Sequence, residues 1–277
     1  MRLKIRLLTL IRKRSIIAFG LIIIGDEILS GKRADQHFSK VVELLAARGL
    51  QLGWAEIIGD DPHHITATLR RTMSTGDIVF CCGGIGATPD DHTRQCAAAA
   101  LGVILELHPE AKVLIQQRIT QSMQEAGKPV DLNTPDHLHR LKMGEFPKGS
   151  RIIPNAFNLI PGFFMAHHYF VPGFPVMVEP MLTWVLDTHY THLFHQHARA
   201  EKSVLVFEIA ESTLTPLMER LEVDFPLIKV FSLPSVGNHQ IRRHIELGVK
   251  GMPAQVEQAF AVLEAELNLQ SAEYVLA

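Results

Sequence analysis

Residues 77–102 read DIVFCCGGIGATPDDHTRQCAAAALG. Asp77 to Cys82 is a short apolar run behind one acid, the pattern of a strand buried on both faces. Three glycines follow, Gly83, Gly84 and Gly86, and then the pair Asp90 and Asp91. From Asp91 onward the residues suit a helix, which Gly102 stops. A strand, a glycine turn and a helix in direct succession open a βα unit, so the stretch predicts a parallel sheet. It also poses a chemical problem. Backbone NH groups at a helix N-terminus attract an anion, whereas two adjacent carboxylates repel one.

The same alternation extends outward. IIAFGLIII (16–24) reads as a fully buried strand and ADQHFSKVVELLAARG (34–49) as a helix with Phe38, Val41, Val42, Leu45 and Ala46 on one face. LQLGWAEII (50–58) is the next strand. DPHHITATLRRTMSTG (61–76) is a helix with Asp61 as its N-cap and Pro62 at its first position. Downstream, VILEL (103–107) predicts a short strand and PEAKVLIQQRITQSMQEAG (109–127) a longer helix. Residues 128–160 lose the periodicity and carry turn chemistry. GFFMAHHYFVPGFP (162–175) reads as a strand or hairpin. VMVEPMLTWVLDTHY (176–190) reads as a helix, with Pro180 near its start or at a kink. THLFHQHARAEK (191–202) is a polar linker. Beyond it, residues 203–277 alternate strand, helix, strand, strand, helix, a small α+β domain. The expected organisation is a basic leader over 1–14, loosely ordered, a large α/β domain over 15–190, and the small domain.

Composition narrows the function classes. The 277 residues are 47% hydrophobic and 20% charged with a net charge of −2, which fits a globular chain and offers no basic field for nucleic acid. Arg2, Lys4, Arg6, Arg12, Lys13 and Arg14 crowd the leader, but no small-residue cleavage site follows it. The apolar run 15–24 is too short to cross a bilayer. Cys81, Cys82 and Cys96 lack metal-ligand or disulfide spacing and read as reduced core thiols of a cytoplasmic protein. His189, His192, His195 and His197 have untidy spacing and read as exposed histidines. His167 and His168 are adjacent on a strand, so at most one faces the core.

In an open parallel sheet, ligands bind beyond the carboxyl ends of the strands. Three such loops carry paired acids: Asp26 and Glu27 in GDEILSGKR, Asp60 and Asp61 in GDDP, and Asp90 and Asp91. Singly, each pair reads as a helix cap or a solvated turn. Together they converge on one edge of the sheet. The glycine loop is neither a P-loop, since no Gly-Lys-Ser/Thr follows, nor a dinucleotide fingerprint. Glycine NH groups beside carboxylates suit a ligand that is phosphorylated and rich in donors, or one that arrives with a Mg²⁺-like ion.

GDEILSG, GDDP, GGIGATPDDHTRQCAAAALGV, IPNAFNLIPGF and PGFP occur in this order. From about Ile16 to Tyr190 the chain resembles the N-terminal module of the competence/damage-inducible protein A (CinA) family, a branch of the MoaB/Mog molybdopterin-binding-like superfamily. Residues 203–277 resemble that family's small KH-like domain, without a Gly-x-x-Gly loop. The chain resembles a stand-alone form, with no room for the amidohydrolase domain of longer members. The resemblance implies a three-layer α/β fold, a parallel-dominated sheet with helices on both faces. It implies two candidate activities. One is metal-dependent hydrolysis of ADP-ribose to AMP and ribose 5-phosphate. The other is binding or adenylylation of molybdopterin. A non-catalytic ligand-binding module is the third alternative.

Gly83, Gly84, Gly86, Thr88, Asp90, Asp91 and Thr93 match the family's phosphate-side loop. Gly25, Asp26 and Glu27 match its first-strand loop, in which Ser30 is a further substrate contact. Pro172, Gly173 and Pro175 match its Pro-Gly-x-Pro turn. Three stretches depart from the pattern: Asp35-Gln36-His37 for Asp-x-Asn, Asn158-Leu159-Ile160-Pro161-Gly162 for Gly-Thr-Ala-Pro-Gly, and Val176-Met177 for Ser-Glu. The expected mechanism has Glu27, Asp90 and Asp91 hold a divalent ion (Mg, Mn or Co). Asp91 and Glu27 are the catalytic carboxylates, and the NH groups of Gly84 and Gly86 stabilise phosphoryl charge. The expected partner is a small phosphorylated ligand, with neither nucleic acid nor membrane, and the chain is expected to form a homo-oligomer, a dimer first.

Overall fold

A computed structural model describes residues 17–196, 199–238 and 240–277. The leader 1–14 and His197 lie outside the described residues. The chain divides into two compact units, one ending at Phe194 and the other running from His195 to Ala277.

The first unit is an α/β layer structure around a six-stranded sheet. Its elements are β1 (Phe19–Ile24), α1 (Asp26–Leu29), α2 (His37–Ala46), β2 (Leu52–Ile58), α3 (Pro62–Met73), β3 (Ile78–Cys82), α4 (Thr93–Leu101), β4 (Leu105–Leu107), α5 (Pro109–Glu125), α6 (Pro135–Leu141), β5 (Glu145–Pro147), β6 (Arg151–Ile153), β7 (Gly162–Met165), β8 (His168–Val171) and α7 (Pro175–His189). The sheet order is β2-β1-β3-β8-β7-β6. The first four strands are parallel and the β8-β7-β6 end is antiparallel, so the sheet is mixed.

Side-chain alternation explains the unbroken apolar runs. Leu21, Ile23, Phe80 and Cys82 face one layer, where Val41 and Leu45 of α2 and Val178, Met181 and Leu182 of α7 cover them. Ile22, Ile24, Val79 and Cys81 face the other, under Ile65 and Leu69 of α3 and Cys96 and Ala97 of α4. A strand covered on both faces has no polar side to show. All three cysteines are buried and free.

Two expectations change, and a third, left open between strand and hairpin, is resolved. The strand at 103–107 shrinks to β4 and leaves the main sheet, pairing with β5 in its own antiparallel ribbon. Residues 128–160, read as turns, contain α6, β5 and β6; each is too short to show a period. The region 162–175 is a hairpin, β7 to β8, turning at Ala166 and His167, both with positive φ, as a tight two-residue connection requires. That turn leaves His167 exposed and His168 wholly buried. Pro180 lies inside α7 on its exposed side, and the helix runs through it.

The second unit holds β9 (Ala200–Phe207), α8 (Glu211–Asp224), β10 (Ile228–Ser235), β11 (His244–Gly251), α9 (Pro253–Leu269) and β12 (Tyr274–Leu276). The sheet order is β10-β11-β9-β12, antiparallel throughout. The polar segment read as a linker is therefore shorter, because β9 already starts at Ala200. This unit has its own core, with Leu217, Leu221, Leu247, Phe260 and Leu263 among its members.

Candidate functional site

The carboxyl ends of β1, β3 and β8 open on a cleft of about 590 Å³. Gly83 closes its floor. The Gly83 NH donates to the Val171 carbonyl at 3.0 Å, and a Cβ on Gly173 would sit 3.4 Å from the Gly83 Cα. The glycine loop and the Pro-Gly-x-Pro turn thus touch. Gly83 and Gly84 have φ of 109° and 68°, and a Cβ on either would lie 2.2 Å from the Ile24 carbonyl oxygen or the Thr93 Oγ1. Only glycine suits both positions.

Asp91 organises the rest of the loop. Its Oδ1 accepts from the Gly86 NH at 2.9 Å, and its Oδ2 accepts from the NH of Thr88 at 2.8 Å and from the Thr88 hydroxyl at 2.5 Å. Arg94, at the start of α4, is nearly buried. Its guanidinium donates to the Gly86 carbonyl at 2.7 Å and to the Lys142 carbonyl. His139 Nε2 meets the Ala87 carbonyl at 2.8 Å. The loop is held from three sides. The NH groups of Gly84, Ile85 and Ala87 carry no hydrogen bond among the described residues, and all three residues line the cleft. Such NH groups are donors ready for an anion.

Glu27, Asp60 and Arg33 line the cleft from other loops, and Asp90 lines it from the glycine loop itself. Asp26 and Asp60 clasp one another's backbone: the Asp26 NH donates to Asp60 Oδ2 at 2.9 Å and the Asp60 NH to Asp26 Oδ1 at 3.3 Å. Burial pushes the Asp60 carboxyl above its ordinary range. The Asp26 NH opposes that shift, and the charges of Asp26, Glu27 and Asp90 add to it. A carboxylate crowded by others is the group that a cation or an NH donor relieves.

Of the residues expected at the site, Gly25, Glu27, Gly83, Gly84, Gly86, Thr88, Asp90, Asp91 and Gly173 line this cleft. Pro175 lines a smaller adjoining cavity. Three line neither cavity. Asp26 is spent on the clasp with Asp60. The Ser30 hydroxyl turns back to the Glu27 carbonyl at 3.4 Å. Thr93 is fully buried, its hydroxyl donating to the Gly83 carbonyl at 3.1 Å. Asp61 caps α3, accepting from the His64 NH at 2.7 Å. One role needs correction. Gly86 NH is not free for phosphate, because Asp91 takes it. Asp91 accepts three hydrogen bonds from its own loop, so it holds the loop in shape. Among the described residues, no three His, Cys, Asp or Glu side chains are grouped to hold a metal ion, so the set Glu27, Asp90 and Asp91 does not fit a resident metal.

The sequence reading named Asp60 only among the converging acids and passed over Arg33, Arg94 and Met143 as site residues. Asp60 and Arg33 lay in loops already singled out. Arg94 and Met143 gave no signal, because their roles come from chain contacts between residues far apart. The segment 158–161, where the chain departs from the family pattern, supplies Asn158, Ile160 and Pro161 to the cleft, and α7 supplies Met177. His189 is half-buried against the rings of Phe164, Tyr169 and Trp184 rather than exposed.

Comparison with known proteins agrees with this architecture. Residues 20–192 match the model of a probable molybdopterin binding domain. A CinA-like protein of Syntrophotalea carbinolica is 29% identical over 221 residues, covering 74% of this chain and 51% of that protein. One from Anaeromyxobacter sp. is 32% identical over 204 residues, covering 70% and 47%. The chain spans about half the length of these relatives. The crystal structure of the protein CinA of unknown function from Thermoplasma acidophilum matches with a TM-score of 0.51 and 25% identity, over 62% of this chain and 97% of that one. The chain belongs to the molybdopterin binding domain family, in its CinA-like branch.

Proposed function

We propose that the cleft binds a pyrophosphate-bearing nucleotide ligand of the ADP-ribose class and hydrolyses its pyrophosphate, giving AMP and ribose 5-phosphate. The observation that carries this reading is the presence, in one cleft, of unoccupied NH groups at Gly84, Ile85 and Ala87 and of the carboxylates of Glu27, Asp60 and Asp90. The NH groups and Arg33 receive phosphoryl oxygens. The carboxylates receive the ligand's hydroxyls or an ion carried in by its phosphates. Asp60, with its raised pKa, takes the proton of the attacking water as the oxygen bonds to phosphorus and the bridging P–O bond breaks. Asp91 and Arg94 keep the loop in register for this step. The test is incubation of the full chain with ADP-ribose and Mg²⁺, Mn²⁺ or Co²⁺. AMP formation supports hydrolysis; a folded sample that yields none with any ion refutes it.

The second reading is molybdopterin binding or adenylylation. Matching of residues 20–192 to a probable molybdopterin binding domain favours it, and ring NH groups of a pterin would suit Glu27 and Asp60. ATP-dependent modification of molybdopterin, without release of AMP from ADP-ribose, selects this reading.

A further inference from the structure

Beside the cleft lies a second cavity of about 280 Å³, lined by Ile23, Ala34, Gln36, His37, Cys82 and Pro175 among others. It shares Ile24, Glu27, Arg33 and Gly173 with the cleft, so the two adjoin. His37 is 5% exposed and its Nε2 is buried without a hydrogen-bond partner. Its Nδ1 lies 2.9 Å from Asp35 Oδ1. Asp35 is fixed in turn, accepting from the NH of His37 at 2.9 Å and of Phe38 at 3.0 Å. Burial pushes the Asp35 carboxyl up, but these NH groups and the imidazole outweigh it and hold it below the usual carboxylate range.

The chemistry of this pair has a direction. An ionised carboxylate only accepts, so Nδ1 carries a proton toward Asp35 and Nε2 is the ring nitrogen left without a partner. The other groups of the cavity do not satisfy it. Cys82 is a neutral thiol, since burial pushes its pKa up. The remaining named wall residues are apolar, apart from Gln36 and the shared Glu27 and Arg33. A buried imidazole nitrogen with no partner, in a residue that lines a cavity adjoining the cleft, is a polar atom left for a ligand to meet.

We infer that His37, oriented by Asp35, is a specificity-determining residue whose Nε2 accepts a hydrogen bond from a hydroxyl or ring NH of the ligand, the ring that carries it filling the second cavity. This rests on the reading that the ligand's phosphates sit at the glycine loop. Asp35 acts through His37 and is a positioning residue.

The test is imidazole ¹⁵N NMR of the full chain, with backbone amides followed in the same sample, during titration with ADP-ribose, with a pterin monophosphate, and with inorganic pyrophosphate. The expected result has Nε2 of His37 unprotonated before titration and shifted by a ring-bearing probe but not by pyrophosphate, while Gly84 and Ile85 amides respond to all that bind. The His37→Ala change then weakens the ring-bearing probe by about 3- to 10-fold, the worth of one neutral hydrogen bond, and leaves pyrophosphate within about 2-fold. Asp35→Asn mixes the two tautomers of His37. If the glycine amides move and Nε2 does not, the inference is overturned while the phosphate reading stands. If no probe moves either, both are overturned.

Discussion

At the scale of the residue, Asp91 lines the cleft and also holds its loop in shape. It lies where the sequence put it, and its carboxylate accepts from Gly86 and Thr88. Asp91→Asn keeps the shape and turns an NH₂ group toward NH donors. It should cost roughly 0.5–1.5 kcal/mol, the net worth of a hydrogen bond at a half-buried group, and reduce ligand affinity about tenfold or more by loosening the loop. Urea unfolding followed by Trp fluorescence measures the first effect. Both tryptophans, Trp54 and Trp184, lie in the first unit, so that signal reports it alone. An unchanged midpoint would show that the loop does not depend on Asp91. Buried His168 offers a second test. Burial drops its pKa to about 4 from 6.5, and it sits between the Ala166 carbonyl and the Thr72 hydroxyl at 2.9 and 2.8 Å. The folded state resists protonation that the unfolded state accepts. This site therefore costs nothing above pH 6.5, and its contribution falls away as pH drops from there to about 4, by roughly 3 kcal/mol. The same unfolding series in His168→Gln should show a shallower fall; identical slopes would contradict the assignment.

At the scale of the element, the βα unit from β3 to α4 was legible because its signals are local: an apolar run, glycines where φ must be positive, and a helix stopped by Gly102 in the left-handed region. The Asp61 cap was legible for the same reason. What escaped the sequence was long-range. The ribbon of β4 with β5 and the short helix α6 are too brief for a period. Arg94 reaches the Lys142 carbonyl across 48 residues of chain. Gly83→Ala tests the strand-to-loop junction. Its Cβ would meet backbone rather than a flexible side chain, 2.2 Å from the Ile24 carbonyl oxygen. The expected loss is about 1–3 kcal/mol from the strained backbone alone, read as a lower Trp-reported midpoint. A neutral outcome would mean that the loop has room which the structure denies.

At the scale of the whole molecule, the alternation of strands and helices told the fold class, and the buried faces of β1 and β3 explain why the runs were continuous. The antiparallel end of the sheet was only half legible, as a hairpin at 162–175. The two cores share no residue. We propose that the units fold separately, each on its own core. Leu263→Ala should then cost the second unit about 2–5 kcal/mol, the range for a buried leucine. The circular-dichroism transition should shift in part while the Trp transition stays fixed. A single transition that moves in both signals would show that the units unfold as one.

The central claim is that the cleft holds a phosphorylated ligand with its phosphates on the glycine loop. Calorimetric titration of ADP-ribose into the full chain with Mn²⁺ present tests it most directly. The expected result is saturable one-to-one binding tighter than about 1 mM, lost in Gly84→Ala, whose Cβ would lie 2.2 Å from Thr93 Oγ1. No saturable heat from the folded wild-type chain, or binding that Gly84→Ala leaves intact, would contradict it.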